Sequence, residues 1–282
     1  MIRLGEYHEL SIIRESDHGV YLENDAGDEV LLPNKYVPET WMVYDKINVF
    51  VYLDHSERPV ATTLKPKIKL DQFESLTCVE VSKFGAFLDW GLEKHLFVPF
   101  KEQVIPMQKG ERYLVFCYLD LETERLTASS KVHAFLDNSE LTVEPFEEVD
   151  LIVSNETDLG FNVIINQLHL GLIYHDEVFK KLRIGDSLRG FIKKIRIDNK
   201  IDIMLQRPGY RSIEPNAQKI LDKLESSGSF IDLTDKSDPA DIKSRLQMSK
   251  KSFKKAIGSL YKNRQIDLNE DGITLKEEEQ DQ

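Results

Sequence analysis

The chain has 282 residues, 41% of them hydrophobic and 30% charged, with a formal net charge of −12. That length suits two large domains or three to four small ones. The acidity argues against a uniformly basic nucleic-acid binder, and the longest apolar runs are strand-sized, too short to span a bilayer. The N-terminal MIRLGEYHEL lacks the basic-then-apolar form of a signal peptide, so a cytoplasmic location is expected. Cys78 and Cys117 lie in apolar strand-like context and read as buried free thiols, and the seven histidines are scattered. Neither pattern has metal-ligand spacing, so no metal and no cofactor are expected.

Charge is unevenly spread. Residues 1–65 hold six Lys and Arg against twelve Asp and Glu, whereas residues 211–276 hold thirteen against ten. The tail EEEQDQ at 277–282 is acidic.

Taken in chain order, three stretches run in parallel: HGVYLENDAGDEVLLPNKYV, FGAFLDWGLEKHLFVPFKEQ and LGFNVIINQLHLGLIYHDEV. Each has a glycine (Gly19, Gly85, Gly160), a strand, a polar turn and a second strand. Fourteen residues past the glycine stands Pro33, Pro99 or Tyr174. Each copy closes with a hairpin: YLDHSERPVAT, YLDLETERLTAS or IRIDNKIDIML. Short alternating strands with turn signals at this density predict a small antiparallel β-barrel per copy, over 1–65, 70–146 and 147–207. After RPGYRSIEP the period becomes helical. Asn216–Ser226 carries Ile220, Leu221 and Leu224 on one face. Asp238 and Pro239 read as the cap and first residue of a second helix. Ser249 caps a third, KKSFKKAIGSLYKNR, with Phe253, Ile257 and Leu260 inward. QIDLNEDGITL reads as a hairpin around Asp271-Gly272. These elements resemble a winged helix over 212–276, followed by the acidic tail.

The second copy contains the sharpest functional signal. Positions one and three after each glycine are apolar (Val20 and Leu22, Ala86 and Leu88, Phe161 and Val163), so they form the core face. The position between them faces outward. It is Tyr21, Phe87 and Asn162 in the three copies. A bulge at Gly85 is expected to turn Phe84 to the same outer side as Phe87. Two exposed aromatics form a platform on which bases stack, each stack worth about 1–3 kcal/mol; the alternative is that the pair seats a neighbouring domain.

This copy resembles an S1 RNA-binding domain, a version of the oligonucleotide-binding barrel. Phe84-Gly85-Ala86-Phe87 corresponds to its Phe-Gly-aromatic pattern, and Val98-Pro99-Phe100-Lys101-Glu102 to its Val-His-Ile-Ser-Glu stretch, with Pro99 in place of the histidine. The resemblance implies RNA contacts from Phe84, Phe87, Asp120 and Arg125. The first copy keeps His18, Tyr21, Asp54 and Arg58 at the matching places. The third has Leu159 and Asn162 on its platform; its role is structural, or it meets phosphate through Lys193, Lys194, Arg196 and Lys200. On the third helix of the last segment, Lys250, Lys251, Lys254 and Lys255 are candidates for contact with duplex or single-stranded nucleic acid; Lys262 and Arg264 add two more positive charges there, which also suit the helix C-terminus.

Three S1-like barrels followed by a winged helix resemble the bacterial conserved virulence factor B family. What that implies is a non-catalytic protein that binds single-stranded RNA in post-transcriptional regulation. No phosphate-cradling glycine loop, metal-ligand spacing or nucleophile motif favours an enzyme. Two other readings stand: a regulator reading duplex DNA through the third helix, and a protein-interaction scaffold.

Overall fold

The computed structural model describes residues 1–178, 181–206, 215–262 and 264–276. The chain divides into a compact unit spanning Met1–Leu205 and a second that begins at Gln206. The first unit holds three closed five-stranded barrels, as the repeat predicts. The first is built from β1 (Tyr7–Ser16), β2 (Gly19–Glu23), β3 (Glu29–Pro33), β4 (Lys46–Leu53) and β5 (Pro59–Thr62). The second uses β6 (Gln72–Val81), β7 (Gly85–Asp89), β8 (Leu96–Pro99), β9 (Arg112–Asp120) and β10 (Arg125–Ser129). The third uses β11 (Glu148–Thr157), β12 (Gly160–Ile165), β13 (His169–Tyr174), β14 (Ser187–Ile195) and β15 (Ile201–Met204).

The barrels are not antiparallel throughout. Strand directions cannot alternate around a ring of five, so one pair in each must run parallel. It is the third strand with the fifth: Leu31 opposite Val60, Phe97 opposite Thr127, and Gly171 opposite Ile201.

The fourteen-residue spacing is a strand register. Gly19 pairs with Pro33, Gly85 with Pro99 and Gly160 with Tyr174. A Cβ at these glycines would lie 2.0, 2.2 and 2.0 Å from the carbonyl oxygens of Leu32, Val98 and Ile173, so only glycine permits the approach. The expected bulge is elsewhere. The second barrel's register slips between Cys78 and Glu80 on β6, not at Gly85. The other barrels slip at the matching places, Ile12/Arg14 and Val153/Asn155. Phe84 points outward because it lies in the turn before β7, where its N–H donates to Ser82 Oγ at 3.1 Å.

The barrels share cores. Phe50, Tyr52 and Val60 of the first join the cluster that fills the second. Trp90 meets Phe50 and Tyr52 edge-on, at centroid distances of 5.9 and 6.3 Å. Phe73 and Phe116 of the second barrel pack with Ile152 and Ile164 of the third. Side chains bridge this second junction as well. Gln167 Oε1 accepts from Phe73 N–H at 2.6 Å. Asn138 Nδ2 donates to the Leu170 and Asn199 carbonyls, and its Oδ1 accepts from Leu170 N–H. Cys78 and Cys117 are buried free thiols, and burial pushes Cys117 up to about 12.

The second unit contains α1 (Pro215–Ser226), β16 (Phe230–Ile231), α2 (Pro239–Leu246), α3 (Lys250–Lys262), β17 (Ile266–Leu268) and β18 (Ile273–Leu275). Its sheet order is β16-β18-β17, and the predicted apolar faces of all three helices are buried in one cluster. Asp238 accepts from Ala240 N–H at 2.7 Å and Ser249 Oγ from Ser252 N–H at 3.1 Å, so both predicted caps form. Arg264 is not on the third helix. It follows the end of α3, in a left-handed conformation with φ 58°. The expected boundaries at 207 and 212 and the tail 277–282 lie outside the described residues.

Candidate nucleic-acid interface

Equivalent positions in the three barrels have diverged on a common frame. The residue before each glycine, His18, Phe84 or Leu159, is exposed. Its carbonyl accepts from Asn34, Phe100 or His175 N–H, which fixes the turn and leaves the side chain outside. The outward residue of the next strand faces Arg14 in the first barrel, Glu80 in the second and Asn155 in the third.

In the first barrel the Arg14 guanidinium lies over the Tyr21 ring, 3.5 Å from its centroid, and is tied to Glu29 at 2.7 Å. That face of Tyr21 is already stacked. In the third barrel, Asn155 Oδ1 accepts from Asn162 Nδ2 at 3.2 Å and from Ser154 Oγ at 3.1 Å, and lies 2.9 Å from His133 Nε2. An amide network stands where a platform would be.

The second barrel keeps open aromatic surface. Phe84 is 66% exposed and carries Lys83 Nζ 4.9 Å from its ring centroid. Phe87 is half-buried and tilts against Phe97, its partner across β7 and β8, at a centroid distance of 5.2 Å. Neither Phe84 nor Phe87 joins the core that links the barrels; Trp90 does that. All four aromatics line a groove of about 480 Å³, whose far wall is Tyr52 and Leu53 of the first barrel and whose rim includes Lys94, His95 and Arg125. Phe97, Lys94 and His95 were not singled out in the sequence. Strand alternation was the available signal for Phe97, which lies between buried Leu96 and Val98.

The hairpin residues divide. Asp54 Oδ1 accepts from the N–H groups of Ser56 and Arg58, and its Oδ2 from the Arg58 side chain at 2.8 Å. Burial pushes the Asp54 carboxyl up, but these bonds outweigh it and hold the group below the usual carboxylate range. Asp120 Oδ1 accepts from Glu122 N–H at 3.0 Å, which lowers its pKa. Both aspartates are engaged with their own turns. Arg125 instead reaches the first barrel and meets Glu57 at 3.0 Å.

In the third barrel Lys193 pairs with Glu177, Lys200 with Asp198, and Arg196 with both oxygens of Asp202. Lys194 is exposed. On α3, Lys250 donates to the carbonyls of Lys236 and Ser237 at 3.2 and 2.8 Å, and Lys254 lies 3.6 Å from Asp235. Lys251 and Lys255 are exposed. Among the described residues no cluster of His, Cys, Asp and Glu could hold a metal ion, and no helix is long and apolar enough to cross a membrane.

Comparison with known proteins places this arrangement. An S1 domain model matches residues 4–64, and a CvfB-like winged helix domain model matches residues 218–275. The S1 match falls on the first barrel, whereas the aromatic motif is fuller in the second. The uncharacterized protein YitL of Bacillus subtilis (strain 168) is 30% identical over 98% of this chain and 94% of its own length. Conserved virulence factor B of Staphylococcus aureus (strain MRSA252) is 25% identical over 83% of this chain and 80% of its own. The crystal structure of a multidomain protein with nucleic acid binding domains from Streptococcus pneumoniae TIGR4 is 28% identical, covers 97% of this chain and 98% of that one, and superposes with a TM-score of 0.43. Barrels, winged helix and full-length similarity agree: the chain belongs to the conserved virulence factor B family.

Proposed function

We propose that this protein binds single-stranded RNA in the groove of the second barrel, acting without catalysis in post-transcriptional control of gene expression in the cytoplasm. The observation that carries the reading is the open aromatic surface of Phe84, Phe87 and Phe97 beside the cations of Lys94 and Arg125. Aromatic faces accept any base, and bases are free to stack only where they are unpaired. The first barrel is a weaker second site, because Arg14 covers Tyr21 and the segment is acidic; His18, Asp54 and Arg58 are its other candidate contacts.

Replacing Phe84 and Phe87 with alanine tests this. Loss of stacking worth about 1–3 kcal/mol per base lowers RNA affinity by one or more decades, while the dependence of log affinity on log salt stays nearly constant, since no phosphate contact is removed. Anisotropy titrations against single-stranded RNA and matched duplex DNA read both quantities. Equal or tighter duplex binding by the parent would favour a DNA-reading regulator.

The α3 face is the second surface. Exposed Lys251, Lys254 and Lys255, with Lys250 beside them, suit phosphate contact by either kind of nucleic acid. Replacing Lys251 with alanine should reduce the slope by about 0.7 for single strands.

A further inference from the structure

Glu57 stands at the mouth of the groove and belongs to the first barrel, on the hairpin between β4 and β5. Its Oε1 lies 2.8 Å from Lys94 Nζ and its Oε2 lies 3.0 Å from Arg125 Nε. One carboxylate thus presents each oxygen to a different cation of the second barrel. The two non-bridging oxygens of a phosphodiester offer the same charge and the same two acceptors. Lys94 Nζ also donates to the Asp54 carbonyl of that hairpin at 2.9 Å, so the cations of the rim are held by one short loop of the neighbouring barrel.

This arrangement differs from the other hairpins. Arg58 pairs with Asp54, Arg196 with Asp202 and Lys200 with Asp198, each within its own barrel. Arg125 stands opposite Asp120 in its own ladder, yet its guanidinium crosses to the first barrel. Glu57 is 38% exposed and Arg125 54% exposed, so the pair sits in reach of solvent and can part at little cost.

We infer that Glu57 is a displaceable internal stand-in for a backbone phosphate of the RNA strand, exchanged when the strand enters the groove. The inference rests on the proposed reading of the groove as an RNA site. Lys94 and Arg125 pass from the Glu57 carboxylate to a phosphodiester, and the freed carboxylate turns to water. The exchange has two consequences. Weak or isolated anions gain nothing over the resident carboxylate, so the rim favours a strand whose bases also stack. The tip of the β4–β5 hairpin also loses its ionic tie to the second barrel whenever the site is filled, while Tyr52 and Val60 keep its strands in the shared core.

The test compares the full-length parent, Glu57→Gln and the Phe84→Ala/Phe87→Ala pair, with a labelled mixed-sequence RNA of about 15 nucleotides. Glu57→Gln removes the competing charge at constant size. It should bind about fivefold tighter, the order that two partly exposed ion pairs are worth, with a salt slope steeper by about 0.7. Adding Arg125→Ala should cancel that gain. Hydrogen exchange supplies a readout that a merely structural Glu57 would not move: in the parent, RNA should speed exchange of the Glu57 amide, which donates to the Asp54 carbonyl. Unchanged or weaker binding by Glu57→Gln, with the phenylalanine pair still required, overturns the exchange and leaves the RNA site standing. Weaker binding with a lower melting temperature identifies Glu57 as a strut of the junction and overturns it equally. Undiminished binding by the Phe84→Ala/Phe87→Ala variant retires the groove itself, and the exchange with it.

Discussion

At Gly85 a single methyl group would lie 2.2 Å from the Val98 carbonyl oxygen and 2.8 Å from Pro99 Cα. Both neighbours are backbone, so neither can swing aside. Gly85→Ala should therefore destabilise the protein by about 3 kcal/mol, seen as an earlier midpoint in denaturant, whereas Gly110→Ala, with open space around its Cβ, should cost only the strain of its left-handed φ. The glycine, its partner fourteen residues on and the inward pair Ala86 and Leu88 were all legible, because strand alternation and register are written directly in the spacing. The reason Phe84 faces outward was not. A turn and a bulge both shift one side chain to the other face, and only the ladder locates the bulge at Cys78/Glu80. The partners of Arg125 and Lys94 were also illegible, since Glu57 lies in a different repeat and nothing local announces a contact across barrels.

At the scale of elements, the linkers act as fitted pieces. Asn138 makes three hydrogen bonds to the backbone of the third barrel, at 2.9, 2.9 and 2.8 Å, standing in for a short strand beside β13. Asn138→Ala should cost about 1–3 kcal/mol, measured by denaturant titration. The first junction adds charged ties to its shared aromatic core. A bond from Lys67 at 2.6 Å lowers the Asp89 pKa, and Lys35 does the same for Glu93. A depressed folded-state value means that each carboxylate stabilises the fold above its unfolded value, about 4, and loses that contribution as the pH falls through the folded value. These pairs are roughly half-exposed, so each is worth at most about 1 kcal/mol. Melting temperature should be flat from about pH 7 to pH 5 and decline below about pH 4. Asp89→Asn with Glu93→Gln should shrink the decline. The helices of the second unit were read closely, because Asp238, Pro239 and Ser249 are capping signals whose chemistry is local; Arg264 was misplaced because α3 ends two residues earlier than its charge pattern.

For the whole molecule, the feature that reaches furthest is the sharing of cores between successive barrels. Phe50, Tyr52 and Val60 are buried in the second barrel's cluster, and Phe73 and Phe116 share a cluster with Ile152 and Ile164 of the third. A chain leaving the ribosome completes β5 before any of the second barrel exists. Until β10 has been made, the first barrel offers the nascent chain's surroundings an aromatic patch. Synthesis order thus becomes a folding schedule: each of the first two barrels is finished by the one translated after it. A fragment ending near residue 65 should accumulate in the insoluble fraction, and one ending after the third barrel should be recovered folded. A slow codon cluster just past β5 would lengthen the exposure and a chaperone would shorten it.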